Sequence, residues 1–302
     1  MRGIVFKVAS VCIFVSMATL LKAAEVPAGQ MVFFRSFFAV FPIIAFLAWR
    51  GQLVDGFRTS RPLGHVLRGI IGTTSMALGF FALTLLPLPE ATAITYATPL
   101  VLVILSALIL KEQVRLYRWS AVIVGLVGVM IVMWPRLTVF TQGQMAPAAT
   151  LGALAALTGA VLTAFAMLQV RRLVMSEKTE TIVLYFSLTS SALALLTLPF
   201  GWAPLDMWQV VMLVSAGFCG GLGQLLLTAS YRHADMSIIA PFEYTSILLA
   251  TLAGFFIFGD VPTVQILLGG AIVIASGIFV IFREHQLGLL RADARSASAP
   301  EG

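Results

Sequence analysis

Ten apolar runs of roughly twenty residues each follow one another along the chain, at about 4–23, 30–49, 65–86, 90–110, 117–134, 148–170, 181–199, 207–229, 236–258 and 264–282. Coiled as an α-helix, such a run rises roughly 30 Å, the thickness of a bilayer's hydrocarbon core. Only helices and closed barrels satisfy every backbone N–H and C=O in lipid. The runs therefore specify an all-α integral membrane protein with ten transmembrane helices. Composition agrees, since 60% of the 302 residues are hydrophobic and only 11% are charged, against roughly 25% charged in soluble domains. The net charge of +6 is scattered over short loops rather than gathered on one polar face, which speaks against nucleic acid as a partner.

Loop charge orients the helices. With the N-terminus in the cytosol, 16 of the 19 Lys and Arg fall on cytoplasmic stretches, Lys7 and Arg68 among them. Only Lys22 and Arg136 then lie at outer ends, and Arg35 lies within a span. Cytoplasmic loops collect Lys and Arg, so both termini are expected inside, in a bacterial inner membrane. A stretch of the first half recurs 148 positions later: Tyr96 aligns with Tyr244, Leu100 with Leu248, Ile109 with Ile257, Glu112 with Asp260 and Gly72 with Gly220. The first copy is followed by Lys111, Arg115 and Arg118, whereas the second ends in the nearly uncharged Gly259-Asp260-Val261-Pro262-Thr263. The two copies thus face opposite compartments, and the chain reads as two inverted five-helix repeats. Their expected bounds are 1–137 and 148–283, with an external linker at 138–147 and a cytosolic tail at 284–302. Inverted repeats are an architecture of carriers, in which two mirrored halves rock about a midplane site. Reading the first run as a cleaved signal peptide would leave nine spans and break the five-plus-five arrangement.

Charges inside spans need an account, because each costs several kcal/mol, roughly 2.5 to 3.5 on insertion scales. Arg35, in Phe33-Phe34-Arg35-Ser36-Phe37-Phe38, lies close enough to the outer edge of the second run to snorkel or to form a structural ion pair; the other reading is that it lines a cavity. Glu243, in the ninth run, is too short to escape easily and is expected to bind substrate or a proton, with a structural hydrogen-bond network as the alternative. Pro241, two residues earlier, lacks a backbone donor, as in broken helices that line cavities. Arg35 and Glu243 differ in depth by about 12 Å across a core about 30 Å thick, so they are expected at two ends of one polar cavity rather than in direct contact. Tyr96 and Tyr244 bring a hydroxyl to the same place in each half, where they either wall that cavity or simply pack. The substrate-binding candidates are therefore Arg35, Tyr96, Glu243 and Tyr244. Glu112 and Asp260 precede helices and are read as structural.

Stripes of small residues, notably Gly217, Gly220, Gly221 and Gly223, let helix backbones approach closely, either within the chain or in a homodimer. His65, His233 and His285 form no His-Glu-x-x-His run, and no Gly-x-x-x-x-Gly-Lys-Ser/Thr stretch occurs. Neither metal nor cofactor chemistry is called for, and the expected partners are a small-molecule substrate and the lipid bilayer. Cys12 and Cys219 are read as packing residues.

Ala240-Pro241-Phe242-Glu243-Tyr244-Thr245-Ser246, running on to Phe258-Gly259-Asp260-Val261-Pro262-Thr263, resembles the second-repeat motif of EamA-type carriers in the drug/metabolite transporter superfamily. Tyr96-Ala97-Thr98-Pro99-Leu100 through Leu110-Lys111-Glu112 resembles the first-repeat motif, and Phe34-Arg35-Ser36 resembles the family's arginine-bearing second helix. The resemblance covers residues 4–283 and implies transport of a small metabolite through a central cavity. Lys111 stands where the family usually has Gly, and Asp260 where it usually has Glu. The N-terminal pattern is most similar to uptake members, which makes riboflavin the first expectation for a substrate. S-adenosylmethionine uptake and export of amino acids or other metabolites are the alternatives within the class, and a non-transporting subunit or sensor is the alternative outside it.

Overall fold

The computed structural model describes residues 2–86, 91, 94–95, 97–111, 116–141, 147–239, 242–243, 245–258 and, from there to 286, residues 264–265, 268–272, 275–276, 278–279, 282–283 and 286. Among these residues the long helices are α1 (Arg2–Ala23), α2 (Ala28–Trp49), α3 (Pro62–Leu85), α4 (Ala97–Ile109), α5 (Leu116–Thr141), α6 (Pro147–Leu173), α7 (Thr179–Leu195), α8 (Met207–His233) and α9 (Thr245–Phe258). Helical residues beyond 263 fall where the tenth run is expected. Five helices, α1, α2, α3, α6 and α8, are long and apolar enough to cross a membrane, and α7 and stretches of α5 and α9 are shorter apolar helices.

Helix starts and stops follow local chemistry. Pro62 opens α3, where its missing N–H costs nothing. Asp206 and Gln209 form a capping box that starts α8. Lys111, at the end of α4, has φ +55°, a left-handed conformation that glycine adopts without a Cβ penalty. That explains why a glycine is usual in the similar motif. The ninth run departs from expectation: it is divided into a short helix Met236–Ile239, a 3-10 turn at Phe242 and Glu243, and α9. Residues 240, 241 and 244 lie outside the described residues. α5 also runs to Thr141, so four residues expected in the linker are helical.

Helix contacts carry the repeat. α1 packs extensively on α8 and α3 on α6; α2 packs on α8 and α3 on α7; α4 packs on α6 and α1 on α9. Exchanging each helix for the one five places along converts the members of each pair into one another, the signature of an internal two-fold. Direction is equally clear. At one end Gly3 packs against Ala234, Gly64 against Leu173, and Arg50 pairs with Glu180 at 3.7 Å. At the other, Gly29 meets Thr197, Gly152 meets Leu86, and Gln209 Nε2 donates to the Ala24 carbonyl at 3.0 Å. α1, α3 and α7 therefore run opposite to α2, α6 and α8, so α1 is antiparallel to its counterpart α6. The halves are inverted.

Both ends fasten one half to the other. At the end holding Arg2, Arg50, Arg58 and Arg61, which we call the basic end, Glu177 from the α6–α7 loop caps α3. Its Oε1 accepts from the Ser60 and Arg61 backbone N–H groups at 2.8 and 3.1 Å and from the Thr59 and Ser60 hydroxyls, both at 2.9 Å. Burial alone raises a carboxyl, but these hydrogen bonds and nearby His65 outweigh it and hold Glu177 below its ordinary value. At the far end neutral amides serve: Gln30 and the Ala203 backbone exchange two hydrogen bonds of 3.1 Å. Between the ends, apolar side chains such as Phe37, Phe41, Leu108, Leu154 and Phe256 are exposed on the outside, as a lipid-facing surface requires.

Candidate functional site

Two of the apolar clusters in the bundle lie one towards the basic end around Ile4, Leu173, Tyr231 and Ile239, the other towards the far end around Leu21, Val26, Met31 and Met212. Between them lies a cavity of about 280 Å³ lined from α1, α2, α3, α6, α7 and α8 and by Ala91 and Thr95, which precede α4. Val170 and Leu227 of the first cluster and Met17 and Phe80 of the second form part of its wall. Its size lies near the small end of ligand pockets, about 300 Å³ upward.

The polar side chains on this wall are few. Arg35 of α2 and Arg68 of α3 are 3% and 6% exposed. Arg35 donates from Nη2 to Gln224 Oε1 on α8 at 3.3 Å, while its Nε and Nη1 have no hydrogen-bond partner among the described residues. Arg68 is in the same position at Nε and Nη1. Both guanidinium groups lie over the ring of Phe186 on α7, with Cζ to centroid distances of 5.3 Å for Arg35 and 3.9 Å for Arg68. Ser75 of α3 donates to the Gly159 carbonyl on α6 at 3.1 Å and shares a short hydrogen bond with Thr163. No carboxylate stands on the described wall.

Glycines make the room. A Cβ at Gly72 would fall 1.7 Å from Arg68 Nη1, and one at Gly220, the equivalent position of the second half, would fall 3.0 Å from Arg35 Nε. Gly217 and Gly221 lie against the α2 backbone, and Gly69 lies against Thr189 of α7. These stripes are engaged within the chain.

Glu243 is not on the described wall. It forms an ion pair with Lys7 of α1, itself 2% exposed, whereas the Glu243 side chain keeps 28% of its surface accessible. Tyr96 and Tyr244 lie outside the described residues, as do Glu112 and Asp260. Of the four sequence candidates, the structure thus places Arg35 in the cavity and Glu243 beside Lys7. Sequence reasoning missed Arg68, Phe186 and Gln224 in the wall, and Lys7 as the partner of Glu243. Lys7 and Arg68 had been counted with the cytoplasmic loop charges because each lies within two turns of a helix start; their burial shows that they belong to the interior.

The profile of the EamA-like transporter family matches residues 1–134 and again 150–283, one match in each inverted half. The chain belongs to the EamA-like transporter family. It is a multi-pass membrane transporter rather than an enzyme. Among EamA-like relatives, an S-adenosylmethionine uptake transporter of Rickettsia bellii is 28% identical over 85% of this chain and 84% of its own length. A riboflavin transporter of Vibrio cholerae is 30% identical over 80% of this chain and 78% of its own. A pseudopaline exporter of Pseudomonas aeruginosa is 28% identical over 91% and 94%. A solved crystal structure at 21% identity covers 92% of this chain and 96% of its own with a TM-score of 0.77, which shows a common fold.

Proposed function

We propose that this chain is a secondary carrier of the bacterial inner membrane that takes up a small metabolite by alternating access, with both termini in the cytosol. The observation that supports this best is the cavity midway between two apolar layers, walled by helices of both inverted halves. In this reading the units 1–137 and 148–283 rock about the connection between α5 and α6. One layer opens while the other stays shut.

Arg35 contacts the substrate, and Tyr96 and Tyr244, which lie outside the described residues, remain the other proposed substrate contacts. Glu243 couples transport to protons, through the ion pair with Lys7 that ties α1 to the turn before α9. S-adenosylmethionine and riboflavin, named by two of the relatives, are the substrates to compare. The test is counterflow in proteoliposomes of purified protein loaded with each compound. Saturable exchange of one of them is expected; no saturable flux with either compound or with amino acids would leave a non-transporting subunit as the better reading. Proton coupling is tested separately, by imposing a pH gradient on wild type and on Glu243→Gln. A gradient that drives accumulation equally in both removes Glu243 from coupling.

A further inference from the structure

A guanidinium withdrawn from water without a counter-ion is costly, and two against one ring also repel each other. Arg35 and Arg68 are in that situation among the described residues: the single side-chain partner is the neutral Gln224, and two nitrogens on each remain unsatisfied. The arrangement is built rather than incidental, because the equivalent glycines Gly72 and Gly220 hold open the space that each guanidinium occupies. Apart from the hydroxyls of Ser75, Thr95 and Thr163, the remainder of the wall, with Met17, Met76 and Phe80, is apolar. A planar guanidinium presents paired N–H groups that match the two oxygens of a carboxylate. We propose that Arg35 and Arg68 form a two-arginine clamp for a substrate carboxylate, with Phe186 as its floor. The substrate supplies the charge that the described wall lacks.

This rests on the carrier reading and narrows its substrate class to a metabolite bearing a carboxylate on an apolar or aromatic body. S-adenosylmethionine, through its amino-acid end, satisfies the clamp. Riboflavin has no carboxylate and leaves both arginines unpaired, so the sequence-level preference for it is reversed.

Direct binding to purified protein, read by thermal shift and by displacement of labelled S-adenosylmethionine, tests the clamp independently of flux. Probes are S-adenosylmethionine, its decarboxylated form, riboflavin, and a panel of amino acids with their amides. The carboxylate member of a pair is expected to bind on the order of 100-fold more tightly than its carboxylate-free partner, and Arg35→Gln or Arg68→Gln to remove that advantage. Arg68→Lys keeps the charge but loses the fork, and should retain part of the preference, roughly a tenth of the affinity, should the glutamine variant fail to fold. Equal binding of both members of a pair, binding of the carboxylate member unaffected by Arg35→Gln and Arg68→Gln, or no carboxylate compound bound at all overturns the clamp. Carboxylate-dependent binding without flux overturns the carrier reading and leaves the clamp; flux indifferent to the carboxylate does the reverse.

Discussion

Lys7 and Arg68 enter the bundle from the same end, five residues into α1 and six into α3, and both are almost inaccessible to water. Lys7 meets the carboxylate of Glu243, while Arg68 meets a phenyl ring and no acid among the described residues. A paired cation is neutralised by the fold itself and joins α1 to the second half. An unpaired one is left for something that comes and goes. Burial therefore does not distinguish a structural charge from a binding charge; the identity of the neighbour does.

The sharpest way to break this comparison is to remove the unpaired charge. Arg68→Gln is expected to lower initial transport rates by on the order of 100-fold while the protein melts no lower than wild type, since an uncompensated charge leaves with it. A large fall in melting temperature would place Arg68 with Lys7 as a structural cation. The converse substitution, Glu243→Gln, strands the Lys7 ammonium and should cost about 3 kcal/mol of stability in denaturant titration. Joint replacement of Lys7 and Glu243 by Met should recover most of it; failure to recover would mean the pair does more than neutralise itself. The space around the unpaired cations offers a finer probe. Gly72→Ala, with its clash at Arg68 Nη1, is expected to reduce substrate affinity roughly tenfold, and Gly220→Ala, whose contact with Arg35 Nε is looser, to reduce it less. Equal effects would show that both act only through helix packing.

The smallest effect concerns a carboxylate outside the bundle. Glu177 titrates lower in the fold than in the unfolded chain, so its stabilisation is complete above the ordinary carboxylate range and is lost as pH falls through the depressed value. Glu177→Gln should cost about 1 kcal/mol near neutrality and flatten the acid limb of a melting-temperature profile. An unchanged acid limb would remove Glu177 as its origin.

Much of the bundle was legible because lipid leaves little choice: an apolar run of the right length must be a helix, and the charges flanking the repeated motif already implied inversion. Arg35 stood out as a charge within such a run, near its outer edge. Arg68 did not, because a residue six places into a helix can belong either to the headgroup region or to the interior, and only the three-dimensional course of its side chain decides. Phe186 was one of 22 phenylalanines, with nothing in its neighbours to separate it from those that face lipid. The pairing of Lys7 with Glu243 joins residues 236 positions apart, a proximity that follows from the inverted topology and not from any local pattern. The break in the ninth run was foreshadowed by Pro241, whereas the extension of α5 past residue 137 was not, since Pro135 and Arg136 interrupt the apolar run there.

At the α2–α8 and α3–α7 crossings, Gly217, Gly220 and Gly221 on one side and Gly69 and Gly72 on the other offer bare backbone to the opposing helix. A face without projections has no notch to climb out of. In the carrier reading each pair would slip lengthwise by a fraction of a turn, the small sliding typical of shear motions. Resistance to that slip is then concentrated at the rims, where Glu177 and Gln30 act as catches, and the ease of releasing those catches would set how often the cavity changes the side it faces.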